Sequence, residues 1–181
     1  DSDCRVPTYY GSEPRDEWSL LLVEEVQPVS LYFRDVVKRW DDMRDRAIAI
    51  ADVLASVFDL FYVNRTAEPV LQVSDIRTAN LGWRIERKEV TVIDAIWGQK
   101  KPWKHYADNL QNTANELLQW CAGDAHDEAL RNAVNCMVTK LATEGRDYQR
   151  PTHPDKVRRL LNEAIEDWMD VSLEPDPGMW R

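Results

Sequence analysis

Glycine is scarce in this sequence, six in 181 residues, and no Gly-rich loop of the kind that cradles phosphates can be assembled from them. Histidine is scarcer still. His105, His126 and His153 stand alone, with no His-x-x-x-His and no Cys-x-x-Cys, so the spacing of a zinc site is missing. Cysteine is odd in number, with Cys4 in an irregular leader and Cys121 and Cys136 inside helical patterns. That is not a disulfide framework, and it points to a reducing, cytoplasmic setting. No apolar run reaches the roughly 18 residues of a membrane span, because Asp52 and Asp59 interrupt the longest. No charged-then-apolar signal segment opens the chain, although a start at Asp1 rather than Met leaves room for a processed leader. Neither a Gly-x-Ser-x-Gly elbow nor a trio of nucleophile, base and orienting group can be picked out. Positive charge is also in deficit, 23 Lys and Arg against 32 Asp and Glu, for a net charge of −9. That balance disfavours wholesale binding to nucleic acid or an anionic membrane, and it suits docking onto a basic partner.

What remains is an ordinary globular composition, 44% apolar and 30% charged. It excludes a disordered chain, and the length fits one domain able to bury a core without staples. Eight tryptophans are many for this length. Cores and helix junctions take most of them, but tryptophan also favours interface hot spots.

Periodicity predicts helices nearly throughout. Residues 1–13 read as an extended arm with Tyr9 and Tyr10 as anchors. Ser12 reads as the N-cap of a short first helix through Trp18, Leu21, Leu22 and Glu25, ended by Pro28. A long central helix is then expected over residues 29–63, where Phe33, Val37, Trp40, Ala47, Ile50, Leu54, Phe58 and Phe61 recur at threes and fours. Ser74 and Asp75 are placed to cap a helix through Ile76, Ala79 and Trp83, whereas "EVTVI" at residues 89–93 is β-branched enough for a strand. Pro102 starts and Gly123 stops the next helix, with Trp103, Tyr106, Leu110, Ala114, Leu117 and Cys121 as its stripe. Asp124 caps another, which Gly145 ends; Thr152 caps the last, with Leu160, Leu161, Ile165 and Trp168 inward. The tail, residues 173–181, is irregular, with Trp180 as an anchor. The expected fold is all-α: a single helical-bundle domain, 1–181, with a long central helix and a C-terminal antiparallel three-helix array.

Asp45, Asp52 and Asp59 recur at every seventh residue of the most apolar helix, and on a helix they fall within roughly 40° of one another. A narrow acidic stripe there is either the helix's strip of contact with water or a site. Asp41 three before Arg44 and Asp42 four before Arg46 supply helical ion-pair partners, so the stripe reads first as a solvated edge. Acidic residues near the end of one helix, Glu24 and Glu25, followed by "IADVLASVFDLFYV", also look like part of the all-α nucleoside triphosphate pyrophosphohydrolases of the MazG and dimeric dUTPase type. The resemblance implies Mg²⁺ held on acidic pairs of adjacent helices, here Glu24, Glu25, Asp45 and Asp52. Asp52 matches the last acid of that motif; Ile48 and Ala49 stand where its acidic neighbour should be, and Pro28 stands where Glu25 should find a second Glu. The resemblance spans about a quarter of the chain and half the motif, and the chain is not assigned to the family on it.

Two basic islands interrupt the acidic background. "WGQKKPWKHY" sets Lys100, Lys101 and Lys104 among Trp97, Trp103 and Tyr106 at a helix start, where free N–H groups favour anions. "GRDYQRPTHPDKVRR" brings Arg158 and Arg159 to another. If the islands meet they form an anion pocket; otherwise they neutralise neighbouring acids. The sequence therefore supports, first, a non-catalytic acidic interaction module, of inhibitor, immunity or assembly type, that needs no cofactor. It would dock on another protein, or on its own copy, through Tyr9, Tyr10, Trp97, Trp103 and Trp180. The alternatives are the Mg²⁺-dependent nucleotide hydrolase and, against the charge balance, phosphate or nucleic-acid binding at Lys100, Lys101, Lys104, Arg158 and Arg159.

Overall fold

In the computed structural model, which describes residues 9–14, 19–66, 76–93, 101–121, 127–146 and 153–170, the chain is an all-α bundle built around one central helix. A small antiparallel sheet packs against it. The order is β1 Tyr9–Pro14, β2 Ser19–Val23, β3 Gln27–Pro28, α1 Val29–Asp35, a 3-10 turn Val37–Arg39, and α2 Met43–Thr66. Then come β4 Leu81–Arg84, a second 3-10 turn Ile85–Arg87, β5 Glu89–Val92, α3 Trp103–Cys121, α4 Glu128–Glu144 and α5 Pro154–Ile165, which widens into a π turn Glu166–Asp170. Among the described residues no helix is long and apolar enough to cross a membrane.

α2 is central because it is apolar on nearly every side. Ala47, Ile50, Val53, Leu54, Val57, Leu60 and Phe61 are all buried, and α3, α4, α5 and β5 pack around them. The C-terminal array forms as its periodicity predicts. Trp103, at the start of α3, donates from Nε1 to Ala142 O near the end of α4 at 2.8 Å. Lys156, at the start of α5, reaches Glu144 at the end of α4 at 2.7 Å. Further back along α4, Lys140 reaches Glu163 further along α5 at 3.2 Å, so consecutive helices run antiparallel. Phe58 of α2 meets Trp103 edge-to-face while Phe61 is tilted on Tyr106, with centroids 5.9 and 4.9 Å apart.

Several expectations are corrected. The short first helix is absent: β1 and β2 pair as an antiparallel hairpin, and Ser12 lies within β1, opposite Leu21, rather than capping anything. The long helix over 29–63 is two helices, since Trp40 turns extended with ψ 134° and the Asp42 side chain accepts the N–H of Arg44 at 2.7 Å, an N-cap that starts α2 afresh. Trp83 lies in β4 rather than in a helix. Gly82 is the reason: a Cβ there would fall 2.6 Å from Val26 and 2.9 Å from Thr91 in the flanking chain, so only glycine lets three strands close up. Trp168 is 42% exposed rather than inward, because the π turn shifts the helical phase after Ile165. The strand expected at 89–93 is β5. Gly145 ends α4 as expected. α4 takes Asp127 as its N-cap rather than Asp124, and the last helix takes His153 rather than Thr152, its ring accepting from Asp155 N at 3.3 Å. Asp124 and Thr152 lie outside the described residues, as does the tail.

The sheet, in order β3-β4-β5, is tied down by one carboxylate and one hydroxyl. Glu116 of α3 accepts from both the backbone N and the hydroxyl of Thr78, at 2.8 and 2.9 Å, and Ser56 of α2 accepts from Val90 N at 2.8 Å in the core. Cys121, buried at the end of α3, has its thiol pushed up from 9.0 to about 12 by desolvation. The thiol holds its proton at neutral pH, with about a thousandfold less thiolate than an unperturbed cysteine. Iodoacetamide at pH 8 followed by peptide mass mapping should leave Cys121 unlabelled in the native chain and label it once urea is added. Labelling at the same rate in both states would contradict the burial described.

Candidate functional site

The acidic stripe of α2 ends at two clefts. Asp45 is exposed in the first turn of α2, and Asp52 and Asp59 are half-buried further along. Asp52 takes the ammonium of Lys88 at 2.8 Å, and this ion pair lines both clefts. Lys88 holds a left-handed backbone, φ 50°, between the second 3-10 turn and β5. A non-glycine residue in that conformation is strained, and here the strain accompanies the contact to α2. Nothing in the sequence announces it, since Lys88 and Asp52 are brought together only by the docking of β5 on α2.

The first cleft, about 380 Å³, lies between α2 and α5. Ala51, Ala55 and Phe58 form its α2 wall and Val157, Leu161 and Ile165 its α5 wall, with Arg87 and Arg158 among the charges around it. The second, about 670 Å³, lies on the other side of the Lys88–Asp52 pair, with Tyr32, Trp40 and Trp83 facing Asp41, Asp42 and Asp45. Tyr32 and Trp83 are tilted on each other with centroids 6.2 Å apart, and burial raises the Tyr32 hydroxyl above its ordinary pKa.

The four carboxylates of the metal reading do not gather. Arg84 holds Glu24 through Nε at 2.8 Å and through a second nitrogen at 2.6 Å, a bidentate bond that raises the arginine's own pKa. Glu25 is exposed, and Asp52 is committed to Lys88. Among the described residues no group of three or more His, Cys, Asp and Glu is placed to hold a metal ion. The expected Asp42–Arg46 ion pair does not form; Arg46 instead donates to Trp40 O, Cys121 O and Lys38 O at 2.8, 2.8 and 3.1 Å.

The basic islands start α3 and α5 at the same end of the bundle, since Trp103 and Lys156 both reach the end of α4. Their cations are mostly spent on neighbours. Lys104 pairs with Asp108 at 2.9 Å and Arg159 approaches Glu163 at 3.8 Å. Lys101 is exposed, Lys100 lies outside the described residues, and Arg158 alone of the set lines the α2–α5 cleft. Of the partner anchors, Tyr9 and Tyr10 are 58% and 63% exposed on β1. Trp103 is corrected: it is a core residue, its indole edge-to-face with Phe58 and hydrogen-bonded to Ala142. Trp97 and Trp180 lie outside the described residues. No protein-family model matches the chain, and no curated protein sequence matches it.

Proposed function

We propose that this chain is a non-catalytic, acidic helical interaction module that docks on a basic face of a partner protein in a reducing cytoplasm. The observation that carries the reading is the β1–β2 hairpin. β1 packs chiefly on β2, is exposed along almost all of its length, and presents Tyr9 and Tyr10 to solvent. An isolated two-stranded ribbon is marginal in water. A ribbon with two exposed tyrosines gains its order, and the tyrosines their use, when a partner covers it. The net charge of −9 and the exposed Asp41, Asp42 and Asp45 beside Trp40 supply the steering toward a basic face. Two free thiols, Cys121 and Cys136, suit the reducing setting.

The test is affinity capture from the native host, with sedimentation to detect self-association. The docking reading expects a partner bound by the wild-type chain, held about tenfold more weakly by Tyr9→Ser/Tyr10→Ser and released as salt rises. A chain that stays monomeric and captures nothing sinks the reading. Capture unchanged in the double variant removes the hairpin from it.

A further inference from the structure

We propose that the α2–α5 cleft is a binding site for a small amphipathic anion: a carboxylate, sulfonate or phosphate head on an apolar body. Two observations meet there. The first is volume. Ala51 and Ala55, one helical turn apart on α2, leave room that Phe58, Val157, Leu161 and Ile165 do not fill, and the resulting cleft of about 380 Å³ falls in the range of small-ligand pockets. Apolar side chains of α2 and α5 line it together with Ser56 and Asn162, so the body of the ligand meets a preformed apolar strip between the helices.

The second is the uncompensated charge at the rim. Asp52 is taken by Lys88 at 2.8 Å, Glu89 lies 3.6 Å from Arg84, which it shares with Glu24, and Asp59 has its own contacts. Arg87 and Arg158, both exposed, make no ion pair or hydrogen bond among the described residues. One comes from the turn before β5 and the other from α5, so two guanidiniums from separate elements flank one opening. Three acids and three bases line the cleft; with Asp52 held by Lys88 and Glu89 facing Arg84, the two guanidiniums without a partner among the described residues favour an anionic head beside its apolar walls. Guanidinium pairs bidentately with carboxylate, sulfonate and phosphate oxygens alike, so the rim fixes the sign of the head and not its element.

Calorimetric titration of the full chain with decanoate, decyl phosphate and decylammonium, each below its micelle concentration, tests the site. The three share one tail, so differences report the head. We expect one equivalent of decanoate per chain, bound about tenfold more tightly than decylammonium. Arg87→Glu/Arg158→Glu, on exposed positions, should invert that preference, and the gained affinity for decylammonium shows that the variant is folded. Ala55→Phe should abolish binding of all three. Decyl phosphate against decanoate ranks the head groups. Equal affinity for the anionic and cationic probes, a preference that survives the charge reversal, or no decanoate binding by the wild-type chain would each overturn the proposal.

Discussion

Replacing Arg46 with methionine is expected to cost about 3 kcal/mol of folding stability, and lysine should restore less than half of it. The guanidinium joins three carbonyls from three places: Lys38 O in the 3-10 turn, Trp40 O in the link before α2, and Cys121 O at the end of α3. The last of these belongs to a helix terminus, whose final carbonyls have no partner within the helix and favour a cation. Methionine keeps most of the apolar stem and removes all three bonds, leaving the part-buried carbonyls of Trp40 and Cys121 unmatched. Lysine keeps the charge but is a point donor that cannot span the fork. Urea unfolding followed by tryptophan fluorescence measures the difference. A variant within about 0.5 kcal/mol of wild type would show that water satisfies these carbonyls equally well.

Alanine at Gly145 is expected to destabilise by about 2–3 kcal/mol, a fall of roughly 6–9 °C in melting temperature. The backbone does not demand glycine here, for φ is −74°. Space does. A Cβ would lie 2.8 Å from Cε2 of Trp103 and closer still to Cζ2 and Cη2. The indole cannot swing away without giving up its hydrogen bond to Ala142 O and its contact with Phe58. Trp103→Leu in the same background should recover part of the loss, so that the two substitutions couple by about 1 kcal/mol or more in a double-mutant cycle. Additive effects would mean that the ring and the added methyl never meet.

The α3–α4–α5 array was legible in the sequence because each helix buries one unbroken stripe. Leu110, Ala114, Leu117 and Cys121, and Leu130, Val134, Met137 and Leu141, recur at helical spacing, and burial follows that spacing. The N-terminal third was less so. "SLLLV" reads as apolar in either conformation, and its strand is decided by pairing with β1 rather than by its own pattern. The break between α1 and α2 was hidden because both helices are apolar in the same phase. The one local signal was Asp42 before Met43, a good N-cap read instead as half of an ion pair. Trp103 shows the same limit, since an aromatic among lysines looks like an anchor until Gly145 and Ala142 are placed against it.

Taken alone, the sequence determined the all-α class, the centrality of α2, the polarity of its acidic stripe and the buried stripes of the C-terminal helices, with Gly145 as the end of α4. All of these follow from periodicity, caps and breakers acting over a few residues. Tertiary structure decided which charges are spent and which are left over. Glu24 on Arg84, Asp52 on Lys88 and Arg46 on three carbonyls are contacts between elements. The placing of Arg87 and Arg158 on one cleft is likewise a tertiary outcome. A side chain's partner is fixed by which helix faces cross, and that is a property of the assembled core rather than of spacing along the chain.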